Sequence, residues 1–158
     1  MTYEEMCAFE VLYRAYLSAR SGKRSKAGTA QYEANALACT DKLSRKLLNR
    51  TYTPSNFETF FVYEPKKRLV QAPAFVDKVV LHAATDNVLY DAITHSFIRD
   101  NHASQKGKGT HDGLMRLKQH MAEYYRRTGS ADGWVLKCDV RKFFASIDHD
   151  ILKAKLRA

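Results

Sequence analysis

Hydrophobic residues recur at steps of three and four in the first part of the chain, the spacing of one helix face. The first series predicts a helix over about residues 3–19 and consists of Met6, Phe9, Tyr13 and Tyr16. A basic, glycine-containing stretch at 21–28 interrupts it. The second series predicts a helix that ends near residues 49–50 and consists of Tyr32, Ala36, Cys39, Leu43 and Leu47.

The pattern then changes to that of a short hairpin. Residues 57–63 are aromatic and β-branched, which is typical of a strand. Residues 64–67 are predicted to form the turn, and residues 68–72 are short enough to be the return strand before Pro73.

Two further apolar series predict helices after the hairpin. The first has Phe75, Val79, Ala83 and Leu89 inward, with Asp77, Lys78, Asp86 and Asn87 toward solvent. The second follows a loop rich in glycine and lysine at 104–111, where Thr110 is expected to cap the helix. Its predicted buried face consists of Leu114, Leu117, Met121 and Tyr124.

The last part of the chain is predicted to contain a strand and a helix. A polar turn at 128–133 leads to a strand over residues 134–139, which ends on the carboxylate of Asp139. A final helix starts near Asp148. Helices outnumber strands, and the strands fall in two places, so the predicted fold class is α+β.

The composition of the chain indicates which partners and which cellular location to expect. The chain has 26 Lys and Arg against 17 Asp and Glu, a net charge of +9, which favours nucleic acid as a partner. A basic domain without a nucleic-acid role is the alternative. No apolar stretch is long enough to cross a bilayer, and the N-terminus does not resemble a signal peptide, so we expect a cytoplasmic protein with no membrane partner. The three cysteines are widely spaced and are interpreted as small buried apolar residues.

Asp139 is the sharpest candidate for chemistry. A carboxylate at a strand end, close to basic residues, suits a divalent-metal ligand, because Mg²⁺ takes hard oxygen ligands together with substrate phosphates. Two such ions can stabilise the attacking and leaving oxygens of a phosphoryl transfer. In the alternative interpretation Asp139 caps a turn or pairs with Lys137 or Arg141.

Residues 134–152, WVLKCDVRKFFASIDHDIL, closely resemble the first catalytic palm motif of bacterial reverse transcriptases. The resemblance implies that Asp139 holds two Mg²⁺ ions, helped by the backbone carbonyl of Val140. It also implies that Phe144 stacks under the sugar of the incoming nucleotide and excludes a 2′-hydroxyl. Phe143 is expected to be a core residue, and Asp148 to cap the last helix.

Residues 64–73, EPKKRLVQAP, resemble the fingers hairpin of the same family. The resemblance implies that Lys66 and Arg68 grip the triphosphate of the incoming nucleotide, with Lys67 as a nucleic-acid contact. Arg suits this role because its guanidinium binds phosphate oxygens in a bidentate fork. The alternative is a solvated basic turn.

Two more segments resemble blocks of the family. Residues 75–83 match a helix whose role is packing between fingers and palm, and His82 is interpreted as packed or hydrogen-bonded rather than as a ligand. Residues 97–111 match the next fingers block, although Asn101 and His102 replace its usual Ser-Tyr pair. There Lys106 and Lys108 are implied to contact nucleic-acid phosphates.

Together the four motifs cover about residues 52–152, with wording nearest to reverse transcriptases of diversity-generating retroelements, followed by group II intron and retron enzymes. The implied domains are a helical N-terminal extension at 1–50, fingers at 51–130 and a truncated start of the palm at 131–158. The implied function is RNA-directed DNA polymerisation with an RNA template, a DNA or RNA primer, deoxynucleoside triphosphates and two Mg²⁺ ions. A retroelement accessory protein is a further implied partner.

The family also uses a Tyr-x-Asp-Asp pair, which this sequence does not contain. We therefore expect an N-terminal fragment that does not synthesise DNA alone, and exposed apolar surface over residues 134–147 that leads to self-association. The alternative function is a non-catalytic, basic RNA-binding module.

Overall fold

Within residues 1–157, which the computed structural model describes, helices combine with a two-stranded antiparallel hairpin, so the α+β prediction is confirmed at that level. The chain divides into two compact units, and the second begins at His102. The implied division at residues 50 and 130 stays a prediction.

The first unit begins with a capping box. Thr2 Oγ1 accepts a hydrogen bond from the Glu5 amide at 3.2 Å, and the Glu5 carboxylate accepts one from the Thr2 amide at 2.8 Å. Helix α1 (Tyr3–Met6) follows, and Ala8, which is extended with a ψ of 144°, separates it from α2 (Phe9–Arg20). The prediction of one continuous helix was wrong here, because Ala8 leaves the helical conformation; the Cys7 carbonyl beside it accepts from Ser44 Oγ at 2.6 Å.

The second predicted helix is also two helices. Helix α3 (Ala27–Ala34) and helix α4 (Ala36–Leu48) meet at Asn35, whose φ of −133° and ψ of 40° are not helical. The predicted end near residues 49–50 is confirmed, since Asn49 occupies the C-cap. Glu33 of α3 forms ion pairs with Arg20, at the end of α2, and, at 2.7 Å, with Arg24 in the basic stretch before α3. The hydrogen bond from Arg24 is the main reason that the pKa of Glu33 is lowered.

An aromatic cluster lies at the centre of the first unit. The ring of Tyr32 lies 5.3 Å from those of Tyr16 and Phe75, and Tyr16 meets Phe75 edge-on at 6.3 Å. Each large side chain buried in this way contributes about 1.5–3 kcal/mol relative to an exposed one. The buried apolar residues of this unit are Met6, Cys7, Leu12, Ala15, Tyr16, Ala19, Tyr32, Leu43, Leu47, Phe75, Val79 and Ala83.

The hairpin and the helix after it connect directly. Strand β1 (Glu58–Val62) pairs with β2 (Arg68–Ala72), as predicted, and Phe61 lies opposite Leu69. Helix α5 (Phe75–Ala84) follows β2 and packs against α2, which joins the hairpin to the core. The helical path continues through a π-helical turn (Thr85–Leu89) into α6 (Tyr90–Thr94).

The second unit differs most from expectation. Helix α7 (Thr110–Thr128) forms, but its predicted buried face is exposed: Leu114 is 60% exposed, Leu117 51%, Met121 64% and Tyr124 37%. Helical spacing places these side chains on one face but does not specify what covers the face. A 3₁₀ turn (Phe143–Ser146) and helix α8 (His149–Arg157) complete the unit.

The three cysteines differ in how far they are buried. Burial raises the pKa of the Cys7 thiol, whereas Cys39 is half-buried and Cys138 is exposed. The prediction of three buried cysteines was therefore wrong for Cys138, since its segment lies open to solvent. No helix among residues 1–157 has both the length and the apolar character needed to cross a membrane.

Candidate nucleotide and nucleic-acid interface

Three cations occupy the turn end of the hairpin. Lys66, Lys67 and Arg68 follow Pro65 and are exposed. The Lys67 ammonium lies 4.8 Å from the ring centroid of Phe61 and 5.8 Å from that of Tyr63. Cation–π contacts at such exposed sites contribute about 0.5–1 kcal/mol each. Lys67 therefore has a defined location over the aromatic face of β1, next to the two predicted triphosphate contacts.

A buried carboxylate lies near the base of the hairpin. Asp77, in the first turn of α5, is 5% exposed, which corrects the prediction that it points to solvent. One of its oxygens accepts from the Tyr52 hydroxyl at 2.5 Å and the other from the Ser55 amide at 3.0 Å. Burial, and then the hydrogen bond to the Asp77 carboxylate, raise the pKa of Tyr52 strongly. The polar character of Asp77 indicated solvent, but its two donors come from a segment more than twenty residues earlier.

A contact between two side chains joins the ends of the loop rich in glycine and lysine. His102 Nδ1 lies 2.7 Å from a carboxylate oxygen of Asp112, ten residues later. Within the loop, Gly107 adopts a φ of 74°, which favours glycine. Lys106 is exposed and Lys108 is half-buried. Both predicted phosphate contacts thus belong to one closed loop.

Helix α7 begins next to this loop without a side-chain cap. Gly109 occupies the N-cap and Thr110 is the first helical residue, so the prediction that Thr110 caps the helix was wrong. The Gly109 carbonyl accepts from the Gly113 amide at 2.9 Å, which starts the helical hydrogen-bond pattern. A glycine at this position adds no side-chain acceptor for the first amides of α7.

The segment around Asp139 does not form the predicted strand. Residues 134–140 have no strand partner among the described residues, and Trp134 is 103% exposed, Val135 90% and Leu136 88%. A strand exists only through the hydrogen bonds of a neighbour, and an apolar sequence run does not supply one. Asp139 is likewise exposed, and Val140, whose carbonyl the resemblance assigns to metal binding, is 62% exposed.

The two phenylalanines after Asp139 lie in the 3₁₀ turn. Their ring centroids are 5.3 Å apart with an interplanar angle of 71°. Phe144, the predicted sugar contact, is 85% exposed, which leaves its ring accessible to a ligand. Phe143 is 52% exposed, so its assignment to the core was wrong, because no described element covers it.

The capping role predicted for Asp148 is confirmed. Asp148 Oδ1 accepts from the amides of Asp150 at 2.9 Å and Ile151 at 3.0 Å. These are the orphan amides of the first turn of α8, which the capping carboxylate satisfies.

The predicted metal site offers a single carboxylate, that of Asp139. Among residues 1–157, no three His, Cys, Asp or Glu side chains come together as a metal-binding group. One carboxylate matches the lower end of what Mg²⁺ uses when substrate phosphates complete its coordination. The described side chains alone do not form a two-ion site, and we derive no reaction step through the metal.

The predicted residues fall into three groups. Lys66, Lys67 and Arg68 meet at the hairpin turn of the first unit. Lys106 and Lys108 share a loop of the second unit. Asp139 and Val140 belong to the unpaired segment of that unit, and Phe144 lies in the 3₁₀ turn that follows.

Sequence reasoning missed three contacts near these groups. They are the links of Tyr52 and Ser55 to Asp77, and the pairing of His102 with Asp112. An acid in the first turn of a helix is a recognisable signal, and it could have identified Asp77 as a residue that binds backbone amides.

No family model matches this chain, and no curated protein matches it either.

Proposed function

We propose that this chain carries the fingers and the beginning of the palm of a reverse transcriptase, which copies RNA into DNA. The observation that carries the proposal is the set of four motifs in family order, with the cations of one motif exposed at the turn of a hairpin. A random basic domain has no reason to combine these motifs in that order.

The hairpin cations bind the triphosphate of the incoming nucleotide in this proposal. A triphosphate carries several negative charges, and Arg68 can bind its oxygens in a bidentate fork. Lys66 supplies a second, compact charge. Both side chains are exposed, so binding needs no rearrangement of the core.

Asp139 and Phe144 take the palm roles in the proposal. Asp139 would be one carboxylate ligand of Mg²⁺, which when bound stabilises the charge of the phosphates. The Phe144 ring would lie against the sugar, where a flat ring leaves no space for a 2′-hydroxyl and a smaller side chain would admit it. Lys106 and Lys108 would contact phosphates of the template or primer, an interaction that weakens as salt rises.

A binding experiment tests the hairpin assignment. Affinity for a deoxynucleoside triphosphate would be compared in the parent chain and in a Lys66→Ala, Arg68→Ala variant. The matched control is Lys23→Ala with Lys26→Ala, which removes the same charge from the exposed loop before α3. Because hydrogen bonds to charged groups contribute about 1.5–3 kcal/mol, the hairpin variant should bind more than about tenfold more weakly than the control. Equal losses in both variants would contradict the assignment.

A second function, RNA binding without catalysis, is favoured by the aromatic face of the hairpin. Phe61 is 51% exposed and Tyr63 65% exposed, and the ammonium of Lys67 lies over both rings. Exposed aromatic rings beside a cation suit stacking of unpaired bases, which contributes about 1–3 kcal/mol per base. In this case Phe61→Ala with Tyr63→Ala should weaken binding of single-stranded RNA, and excess deoxynucleoside triphosphate should not displace it. Displacement by the nucleotide would favour the polymerase function instead.

A further inference from the structure

The hairpin lacks a core of its own. None of residues 57–72, all of which the structure describes, is buried. Phe60 is 47% exposed, Phe61 51% and Leu69 56%, so neither strand is anchored by a buried side chain. The direction in which the hairpin leaves the helices must therefore be set mainly where its two strands join the rest of the unit.

Asp77 is located at that junction. Strand β2 ends at Ala72 and leads through Pro73 and Ala74 into α5, which carries Asp77. Strand β1 begins three residues after Ser55, whose amide donates to the same carboxylate at 3.0 Å. One buried side chain thus links the segment that enters the hairpin to the helix that leaves it.

Tyr52 fixes this link to the core. Its ring packs against the buried cluster, while its hydroxyl donates to Asp77 at 2.5 Å. A small cavity of about 230 Å³ beside Tyr52, Ser55 and Val76 borders the junction. A carboxylate fits the site because both of its oxygens accept, each from a different donor. An asparagine would place an NH₂ group against one of those donors.

We propose that Asp77 is a positioning residue: with Tyr52 and the Ser55 amide, it sets the direction of the β1–β2 hairpin and so the location of Lys66 and Arg68. The first half of the proposal, that Asp77 holds the hairpin, is independent of any activity. The second half, that this holds the triphosphate contacts in place, rests on the proposed function.

A distance measurement tests the first half. Spin labels would be placed at Glu64→Cys, in the hairpin turn, and at Ser18→Cys, on the exposed side of α2, after Cys39 and Cys138 are changed to Ser. Cys7 is buried and stays. The labelled chain should show one narrow distance distribution, and adding Asp77→Asn or Tyr52→Phe should broaden it. Asp91→Asn removes the same charge at an exposed site and should leave the distribution narrow.

The second variant keeps the test decisive. Tyr52→Phe retains the ring that packs on the core and removes only the hydroxyl, so it should fold even where Asp77→Asn does not. A narrow, unshifted distribution in folded Tyr52→Phe would overturn the proposal. A merely structural role of the hydroxyl would lower the melting temperature and leave the hairpin direction unchanged.

Nucleotide binding separates this proposal from the function it rests on. If both are right, the apparent affinity of Tyr52→Phe for a deoxynucleoside triphosphate should fall in proportion to the fraction of molecules whose hairpin remains in place. Asp91→Asn should not change this affinity. A broadened distribution with unchanged nucleotide binding would support the positioning role and contradict the triphosphate role of the hairpin. An unchanged distribution would contradict the positioning role, whatever the chain binds.

Discussion

Tyr52 combines two interactions in one side chain, and they respond differently to mutation and pH. Its ring belongs to the margin of the buried cluster, and its hydroxyl donates to the carboxylate of Asp77. Removing the hydroxyl leaves a buried carboxylate oxygen without its donor, which costs more than the loss of an ordinary surface hydrogen bond.

Tyr52→Phe should therefore lower the free energy of unfolding by about 1.5–3 kcal/mol, the range for hydrogen bonds to charged groups. Urea unfolding near neutral pH measures this loss. Tyr13→Phe serves as a control, because Tyr13 is also partly buried against the same cluster. A loss equal to that of the control would show that the hydroxyl contributes little.

The same phenol should make stability depend on alkaline pH. Burial and the hydrogen bond to Asp77 raise the pKa of Tyr52 in the folded chain above its ordinary value of 10.0. The folded state thus retains a proton that the unfolded state releases, and the stabilisation is fully present below about pH 10 and is lost as pH rises further. The difference in unfolding free energy between the parent and Tyr52→Phe should shrink above about pH 10. A constant difference across that range would contradict the assignment.

At the scale of elements, the sequence predicted best what depends on neighbouring residues. The hairpin strands, the end of α4 and the cap of α8 all follow from short local signals. The break at Ala8 was not predicted, and the contact beside it, from Ser44 to the Cys7 carbonyl, joins residues 37 positions apart. The predictions of a strand at 134–139 and of a buried face on α7 failed for the same reason. An apolar pattern identifies a face of the chain but not the element that covers it.

The candidate site follows the same division. Sequence motifs identified Lys66 and Arg68, and their exposure at the hairpin turn agrees with a contact role. No motif indicated the hydrogen bonds of Asp77 near the base of that hairpin, because its donors, Tyr52 and Ser55, come from a distant segment. The proposed contact residues were thus easier to identify from the sequence than the hydrogen bonds of Asp77, which join distant segments.

Helix α8 offers a direct test of a local signal. Asp148→Ala removes the acceptor for the amides of Asp150 and Ile151, so the first turn of α8 should fray. The expected cost is about 1 kcal/mol of local stability, visible as faster hydrogen exchange at these amides. Asp148→Asn retains a capping oxygen and should preserve most of the protection. Equal exchange in the alanine variant and the parent would contradict the capping role.

For the molecule as a whole, exposed apolar surface favours self-association, whereas the net positive charge disfavours it. Trp134, Val135 and Leu136 are almost fully exposed, and Trp134 and Val135 line, with the face of α7, a groove of about 970 Å³. Burying each such side chain between chains would gain about 1.5–3 kcal/mol. The net charge of +9 works against this association, and salt screens that repulsion.

We therefore expect the average mass seen by light scattering to rise with protein concentration, and to rise further with added salt. Trp134→Ser with Leu136→Ser should suppress the increase. Leu37→Ser, at an exposed position of α4, should not. A monomer at every concentration and salt level would contradict the expected self-association.

The 158-residue chain alone should not synthesise DNA. Two-ion nucleotidyl transfer needs carboxylates that hold both ions between the primer end and the triphosphate. The sequence supplies Asp139 but no Tyr-x-Asp-Asp pair, so nucleotide binding and DNA synthesis should separate in this chain. An RNA template with an annealed DNA primer should show no extension with either Mg²⁺ or Mn²⁺, even at high nucleotide concentrations. Robust extension that Asp139→Ala abolishes would contradict this prediction, because it would mean that other carboxylates of the chain complete the site.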